Sequence, residues 1–176
     1  AAQLAVPLLA PLKKGGNYLD GCAGLGGKTG HLLQLGSSCH VKIYAVEPEQ
    51  RRLQKLAENQ LRLFPDSHLV IHQGTLEDFA AKNSLQFDGI LIDAPCSGTG
   101  VIGRHPDIRW NRHKQDLALY SQRQRLLLEQ AAAMLAAGGV LVYATCSLEA
   151  EENQDVIHTF LASHRHFSLT DCAEHL

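Results

Sequence analysis

Two short stretches each bring a cysteine to the end of an apolar run. In Phe87 to Gly100 (FDGILIDAPCSGTG) the run Ile90, Leu91, Ile92 is followed by Asp93, Ala94 and Cys96; in Gly138 to Ser147 (GGVLVYATCS) a second run ends in Cys146. Short apolar runs bounded by turn residues are the pattern of strands buried on both faces of a parallel sheet. Ligands of such sheets bind outside the carboxyl ends of the strands, and adjacent strands lie about 5 Å apart. If the two runs are neighbours, one acid and two thiols share a site. A thiolate is a nucleophile, and a carboxylate beside it can hold and polarise what it attacks. The structural alternative is an aspartate that caps a helix and cysteines buried as small apolar residues.

A glycine-rich turn adds a third component. In Gly21 to Gly30 (GCAGLGGKTG), Gly24, Gly26 and Gly27 let the backbone approach a ligand, and the helix that follows offers unpaired N–H groups. A phosphate-binding loop needs G-x-x-x-x-G-K-[ST]; here Cys22 stands at the required first glycine and Gly21 falls one residue too early. With ILID reading like a magnesium-binding acidic strand, that near miss keeps a nucleoside triphosphatase as an alternative. The dinucleotide fingerprint G-x-G-x-x-G is absent. About twenty residues beyond Gly27, Glu47 ends another apolar run, where an acid serves ribose hydroxyls or, more plainly, caps the helix that begins near Pro48. A glycine turn, a ribose acid and no pyrophosphate site suit a nucleoside cofactor such as S-adenosylmethionine.

The elements that must position these residues alternate regularly. Strands are predicted over 17–20, 41–46 (followed by Glu47), 69–72, around Ile90–Ile92 and over 139–145. Helices are predicted over 2–12, from the glycine turn to about Gly36, and over 49–63, 77–82, 115–137 and 149–163. Thr99 to Lys114 reads as a basic, proline-containing loop, and Phe167 to Leu176 as the start of a sixth strand. Strand–helix units of this size imply right-handed crossovers and an α/β, doubly wound, mostly parallel sheet. The 176 residues, 45% of them apolar, are enough for one domain over 1–176 with a sizeable core. No run of about 18 apolar residues suggests a membrane span and no charged-then-apolar leader suggests secretion. Five cysteines without CxxC or CxxH spacing argue against a disulfide framework and against zinc, and fit a reducing cytoplasm. The histidines show no metal-ligand pattern. A net charge of −2 lacks the signature of a self-sufficient nucleic-acid binder, so any such affinity must come from a local patch or from sequence outside this stretch.

Four segments, in order and spacing, resemble the motifs of the RsmB/Sun family of RNA cytosine-5 methyltransferases: Tyr18 to Thr29 (YLDGCAGLGGKT), Asp93 to Gly100 (DAPCSGTG), Arg104 to Trp110 (RHPDIRW) and Thr145 to Asn153 (TCSLEAEEN). The resemblance covers essentially the whole chain and is nearest to bacterial enzymes acting on 16S ribosomal RNA. It implies a Rossmann-like class I methyltransferase fold, S-adenosylmethionine as cofactor, and an RNA partner. It also implies a fragment, because members of the family commonly carry an amino-terminal RNA-binding domain and finish in a strand hairpin past the last residue here.

The resemblance assigns roles residue by residue. Carbon 5 of cytosine is too weak a nucleophile to take a methyl group directly, so a thiolate first adds to carbon 6. The family's TCS cysteine carries over to Cys146 as that nucleophile, its PCS cysteine to Cys96 in product release, and its acid to Asp93 against N3 and the amino group. DNA cytosine methyltransferases use the PC cysteine instead, which leaves the reverse assignment open. Lys28 is expected to help form the thiolate. Cofactor contacts carry over to Cys22, Ala23, Gly24, Leu25, Gly26, Gly27 and Lys28, to Glu47 for the ribose, and to Asp93. The family loop usually reads CAAPGGKT, so Gly24 and Leu25 depart from it, and Thr75 stands where an adenine-side Asp is usual. The loop holding Arg104, His105, Arg109, Arg112, His113 and Lys114 around Trp110 fits a single-stranded RNA contact with stacking, or a solvated loop pinned by a buried tryptophan. A domain that keeps cofactor or RNA binding without turnover is the non-enzymatic alternative.

Overall fold

A computed structural model describes residues 2–172. Five strands, β1 (Asn17–Asp20), β2 (Lys42–Glu47), β3 (Leu69–Gln73), β4 (Phe87–Asp93) and β5 (Leu135–Ala144), form one sheet in the order β3-β2-β1-β4-β5. Every pairing is parallel. Helices α1 (Gly27–Gly36), α2 (Gln50–Leu63), α3 (Leu76–Lys82), α4 (Ile108–Asn111), α5 (Asp116–Met134) and α6 (Gln154–Ser163) complete the fold. The chain starts at the middle strand, winds out to β3, then crosses back to lay β4 against the other side of β1. That reversal opens a crevice at the carboxyl ends of β1 and β4, the place where such sheets bind ligands.

Both faces of the central strand β4 are covered, which is why it reads as an unbroken apolar run. Leu91 packs into one core with Val6, Leu9, Leu32 and Ile43, while its neighbours Ile90 and Ile92 point the opposite way into a second core with Leu19, Val46, Phe79 and Phe87. A smaller cluster of Leu128, Val156 and Phe160 fastens α6 to α5. Fully burying a side chain of this kind stabilises the fold by roughly 1.5–3 kcal/mol.

The structure departs from the expected elements at four places. The helix predicted over 2–12 is two short 3-10 turns, Ala2–Leu4 and Pro7–Leu9, because Pro7 and Pro11 lack the N–H groups a continuous helix needs. Val6 and Leu9 are nevertheless buried. Helix α5 stops at Met134 rather than 137: Leu135 already pairs with Phe87, and Gly138, at φ +75°, absorbs an irregularity before Val140 pairs with Gly89. The helix predicted over 149–163 is broken at Asn153, whose amide donates to the carbonyls of Ser147 (3.0 Å) and Glu149 (2.8 Å). No strand forms over 167–172, where Phe167 packs edge-on against Phe160; the rest of that predicted strand lies outside the described residues.

Candidate active site

Strands β4 and β5 lie side by side, and their pairing continues past their ends: the Ala94 N–H donates to the Ala144 carbonyl (2.8 Å) and the Gly100 N–H to that of Cys146 (2.9 Å). The two cysteines therefore arrive together, with Sγ atoms 3.1 Å apart and hydrogen bonded. Asp93 stands at the root of the same loop, and its Oδ2 accepts from Lys28 Nζ at 2.5 Å, which ties β4 to the first turn of α1. The sulfurs, Asp93 and Lys28 line one cleft of about 960 Å³, together with Cys22, Gly24, Glu47 and Thr75.

The opposite wall is the glycine turn. Gly24 (φ +56°) and Gly26 (φ +86°) occupy the left-handed region, and at Gly26 a Cβ would lie 2.9 Å from Leu56 Cγ, so the turn needs glycine there for both conformation and space. Glu47, nearly buried at the end of β2, accepts the Gly24 N–H on Oε2 (2.9 Å) and the Glu49 N–H on Oε1 (2.8 Å). It thus fixes the turn and the approach to α2 at once. Ala23, Leu25, Gly26 and Gly27 face an adjoining depression of about 920 Å³ that shares Cys22, Gly24, Lys28 and Asp93 with the cleft. Thr75 is the N-cap of α3, its hydroxyl exchanging hydrogen bonds with Asp78 in a capping box.

A nucleoside cofactor fits this surface. A Cβ built at Gly24 or Gly27 would meet nothing within 4 Å, so the room above the turn is open to a ligand, while each Glu47 oxygen keeps a lone pair beyond its backbone bond. A triphosphate does not fit it: the Thr29 hydroxyl, which would have to reach a metal ion, is buried and donates to Asp20 Oδ2 at 2.7 Å. Among the described residues no cluster of three or more His, Cys, Asp or Glu could hold a metal ion, and no helix is long and apolar enough to cross a membrane.

The thiols differ in burial. Burial, with the hydrogen bond to Cys146 adding to it, pushes Cys96 up to about 12, so Cys96 is a neutral thiol at physiological pH. Cys146 is exposed. Burial likewise pushes Cys22 up to about 12, which makes it a packing residue of the turn rather than a nucleophile.

Several residues of the site received no role from the sequence, although Ser97, Ser147, Glu152 and Asp20 lie inside the motifs quoted above. Ser97, Ser147, Gln124 and Glu152 are buried polar groups behind the two cysteines. Asp20, at the end of β1, is buried as well, and burial raises its carboxyl from an ordinary 3.8 to about 6. The folded protein then holds a proton over pH 4 to 6 that the unfolded chain releases, so the stability Asp20 contributes is fully present below pH 4 and is lost as pH rises through 6. A shift of this size corresponds to ~3 kcal/mol. Urea midpoints of Asp20→Asn are expected to lack this fall between pH 4 and 7, whereas the unsubstituted protein shows it.

A parallel sheet of this order, with a glycine turn after β1, an acid at the end of β2 and the crevice between them, defines a Rossmann-like class I methyltransferase fold, the class whose cofactor is S-adenosylmethionine. The family model described as "16S rRNA methyltransferase RsmB/F" matches residues 6–175, and the chain belongs to that family. It is 44% identical over 171 residues to the ribosomal RNA small subunit methyltransferase B of Yersinia enterocolitica, and equally to that of Yersinia pestis. Those matches cover 97% of this chain but 39% of each relative, so the chain spans about two fifths of their length. Among solved structures, NSun6 from Pyrococcus horikoshii, determined with SFG, superimposes with a TM-score of 0.82 at 30% identity over 92% of this chain and 40% of that one. A methyltransferase homolog protein from the same organism gives 0.76 at 34% identity, over 91% of this chain and 49% of that one.

Proposed function

We propose that this domain transfers a methyl group from S-adenosylmethionine to carbon 5 of a cytosine in ribosomal RNA, through a covalent bond between Cys146 and carbon 6. The observation that carries the reading is the pair of sulfurs 3.1 Å apart in a cleft that also holds the Asp93–Lys28 pair and the glycine turn. When bound, S-adenosylmethionine supplies an electrophilic methyl group. The exposed Cys146 is the attacking thiolate: its sulfur bonds to carbon 6 and the displaced electron pair makes carbon 5 a nucleophile. Asp93 meets the N3 and amino edge of the base, and the Lys28 ammonium paired with it offsets the charge that builds there. After methylation carbon 5 must lose its proton before the S–C6 bond can break. A water in the cleft takes that proton and the C–H electrons restore the ring double bond; Cys146 leaves as a thiolate that accepts a hydrogen bond from the neutral Cys96 thiol beside it. Glu47 orients the ribose, and the turn from Cys22 to Lys28 faces the rest of the donor, with Thr75 on the adenine side.

The base has to leave its stack to reach this cleft. Arg104 and Arg112 line its mouth, and Trp110, on α4 beside them, is 82% exposed, which favours a stacking platform over a buried pin. Trp110→Ala is expected to weaken RNA binding by about 1–3 kcal/mol, roughly 5- to 150-fold, with cofactor affinity unchanged. Fluorescence anisotropy of a labelled RNA and calorimetry of the cofactor check the two halves.

The direct test supplies S-adenosylmethionine bearing a labelled methyl group and small-subunit ribosomal RNA, then identifies the modified nucleoside by mass spectrometry. Labelled 5-methylcytosine is the expected product. Cofactor binding without transfer would identify a domain that binds and does not turn over, and label on any other base would overturn the cytosine-5 reading.

A further inference from the structure

Each of the two cysteines is followed by a serine, and both serines converge on one buried acid. Glu152 is fully buried on the short turn Ala150–Glu152. Its Oε1 accepts the Ser97 backbone N–H (2.9 Å) and the Gln124 amide (2.9 Å), and its Oε2 accepts the Ser97 hydroxyl. Ser97 Oγ lies 3.1 Å from Ser147 Oγ, which in turn accepts the Glu149 N–H (3.1 Å). The backbone carbonyl of Glu152 accepts the Tyr143 hydroxyl of β5 (2.7 Å), and the same Gln124 amide reaches the Pro95 carbonyl (3.0 Å). The residues before and after Cys96 are thus held from one side, and those around Cys146 from the other.

A carboxylate in this position needs a reason. Removing a charge from water is costly, and the hydrogen-bonding partners of Glu152 are all neutral donors. Burial pushes its pKa up, but hydrogen bonds from Ser147, Ser97 and Gln124 outweigh that and hold it below the usual carboxylate range. The group is therefore a buried anion that touches neither the cleft nor the sulfurs. As an acceptor-only group it can take several donors at once, which an amide of the same shape cannot.

We propose that Glu152 is a positioning residue: it grips the loop of Cys96 directly and that of Cys146 through Ser97 and Ser147, and so sets the separation of the two sulfurs. The proposal rests on the two-thiol reading above, because only a reaction that uses both sulfurs in turn needs their spacing held. Misplacing a reacting group by about 1 Å can cost about 100-fold in rate.

Two measurements on the same proteins test it. Diamide takes two electrons and two protons from a neighbouring pair of thiols, becoming a hydrazine and leaving a disulfide, so its rate of linking Cys96 to Cys146, followed by peptide mass spectrometry, reports their spacing without cofactor or RNA. Glu152→Gln is expected to slow this linking about tenfold or more and to lower kcat by about 10- to 100-fold, with KM for S-adenosylmethionine within about twofold. Should that variant not fold, Ser97→Ala with Ser147→Ala, which keeps the acid and removes the bridge, is expected to slow linking several-fold. Unchanged linking in a folded Glu152→Gln, or in the double serine variant, overturns the proposal, as does failure of the unsubstituted protein to form the disulfide. If linking slows as expected but the unsubstituted protein methylates no RNA cytosine, the functional reading fails and the positioning role stands.

Discussion

Cys146→Ala will form no covalent adduct with RNA and will lose methyl transfer by at least about a thousandfold, whereas Cys96→Ala will accumulate the adduct. The asymmetry follows from what surrounds each sulfur. Cys146 is exposed in the cleft, while burial and its neighbour keep Cys96 protonated up to about 12. Only a thiolate adds to carbon 6, so the loss of Cys146 removes the step that makes carbon 5 nucleophilic, and nothing downstream can compensate. Loss of Cys96 leaves that step intact and removes the thiol whose hydrogen bond helps Cys146 depart, so the enzyme halts with RNA attached. Gel shift under denaturing conditions separates the outcomes. Adduct formed by Cys146→Ala and not by Cys96→Ala would reverse the assignment.

Asp93→Ala carries the second large effect: kcat is expected to fall by about 10²- to 10³-fold, the usual cost of removing a group that stabilises developing charge. Cofactor KM should change little, because Glu47 and the turn remain. The 2.5 Å contact with Lys28 makes a sharper statement possible. If the two act as one unit, Lys28→Ala will be similarly impaired and the double variant scarcely worse than either single one. Additive losses in steady-state kinetics would mean that they act separately.

The sheet and the meeting of the candidate site residues at its edge were legible for the same reason. Ile90 to Ile92 are apolar because both faces of β4 are covered, Val140 to Tyr143 carry the same pattern on a half-covered edge strand, and each run, ended by an acid or a cysteine, marks the strand end in the sequence itself. The meeting of Cys96 and Cys146 then needed only the assumption that β4 and β5 are neighbours. Other features depended on partners far along the chain. Helix α5 stops at Met134 because Leu135 finds Phe87, and nothing in the local run of alanines announces that pairing. Glu152 sits in the acidic stretch Glu149 to Glu152, which reads as a solvated helix start, yet one of its members is buried by contacts with residues 28 and 55 positions away. The serine after each cysteine was the available hint, since small donors repeated at two strand ends call for a shared acceptor. Trp110 could be read either way because exposure is decided by the path of the loop, not by its composition.

The closeness of the two sulfurs has an evolutionary corollary. A base turned into the cleft comes within reach of both, so the choice of attacker depends on how wet each sulfur is rather than on its address in the chain. Exchanging a few side chains around the pair can pass the job from one strand tip to the next while the scaffold stays as it is.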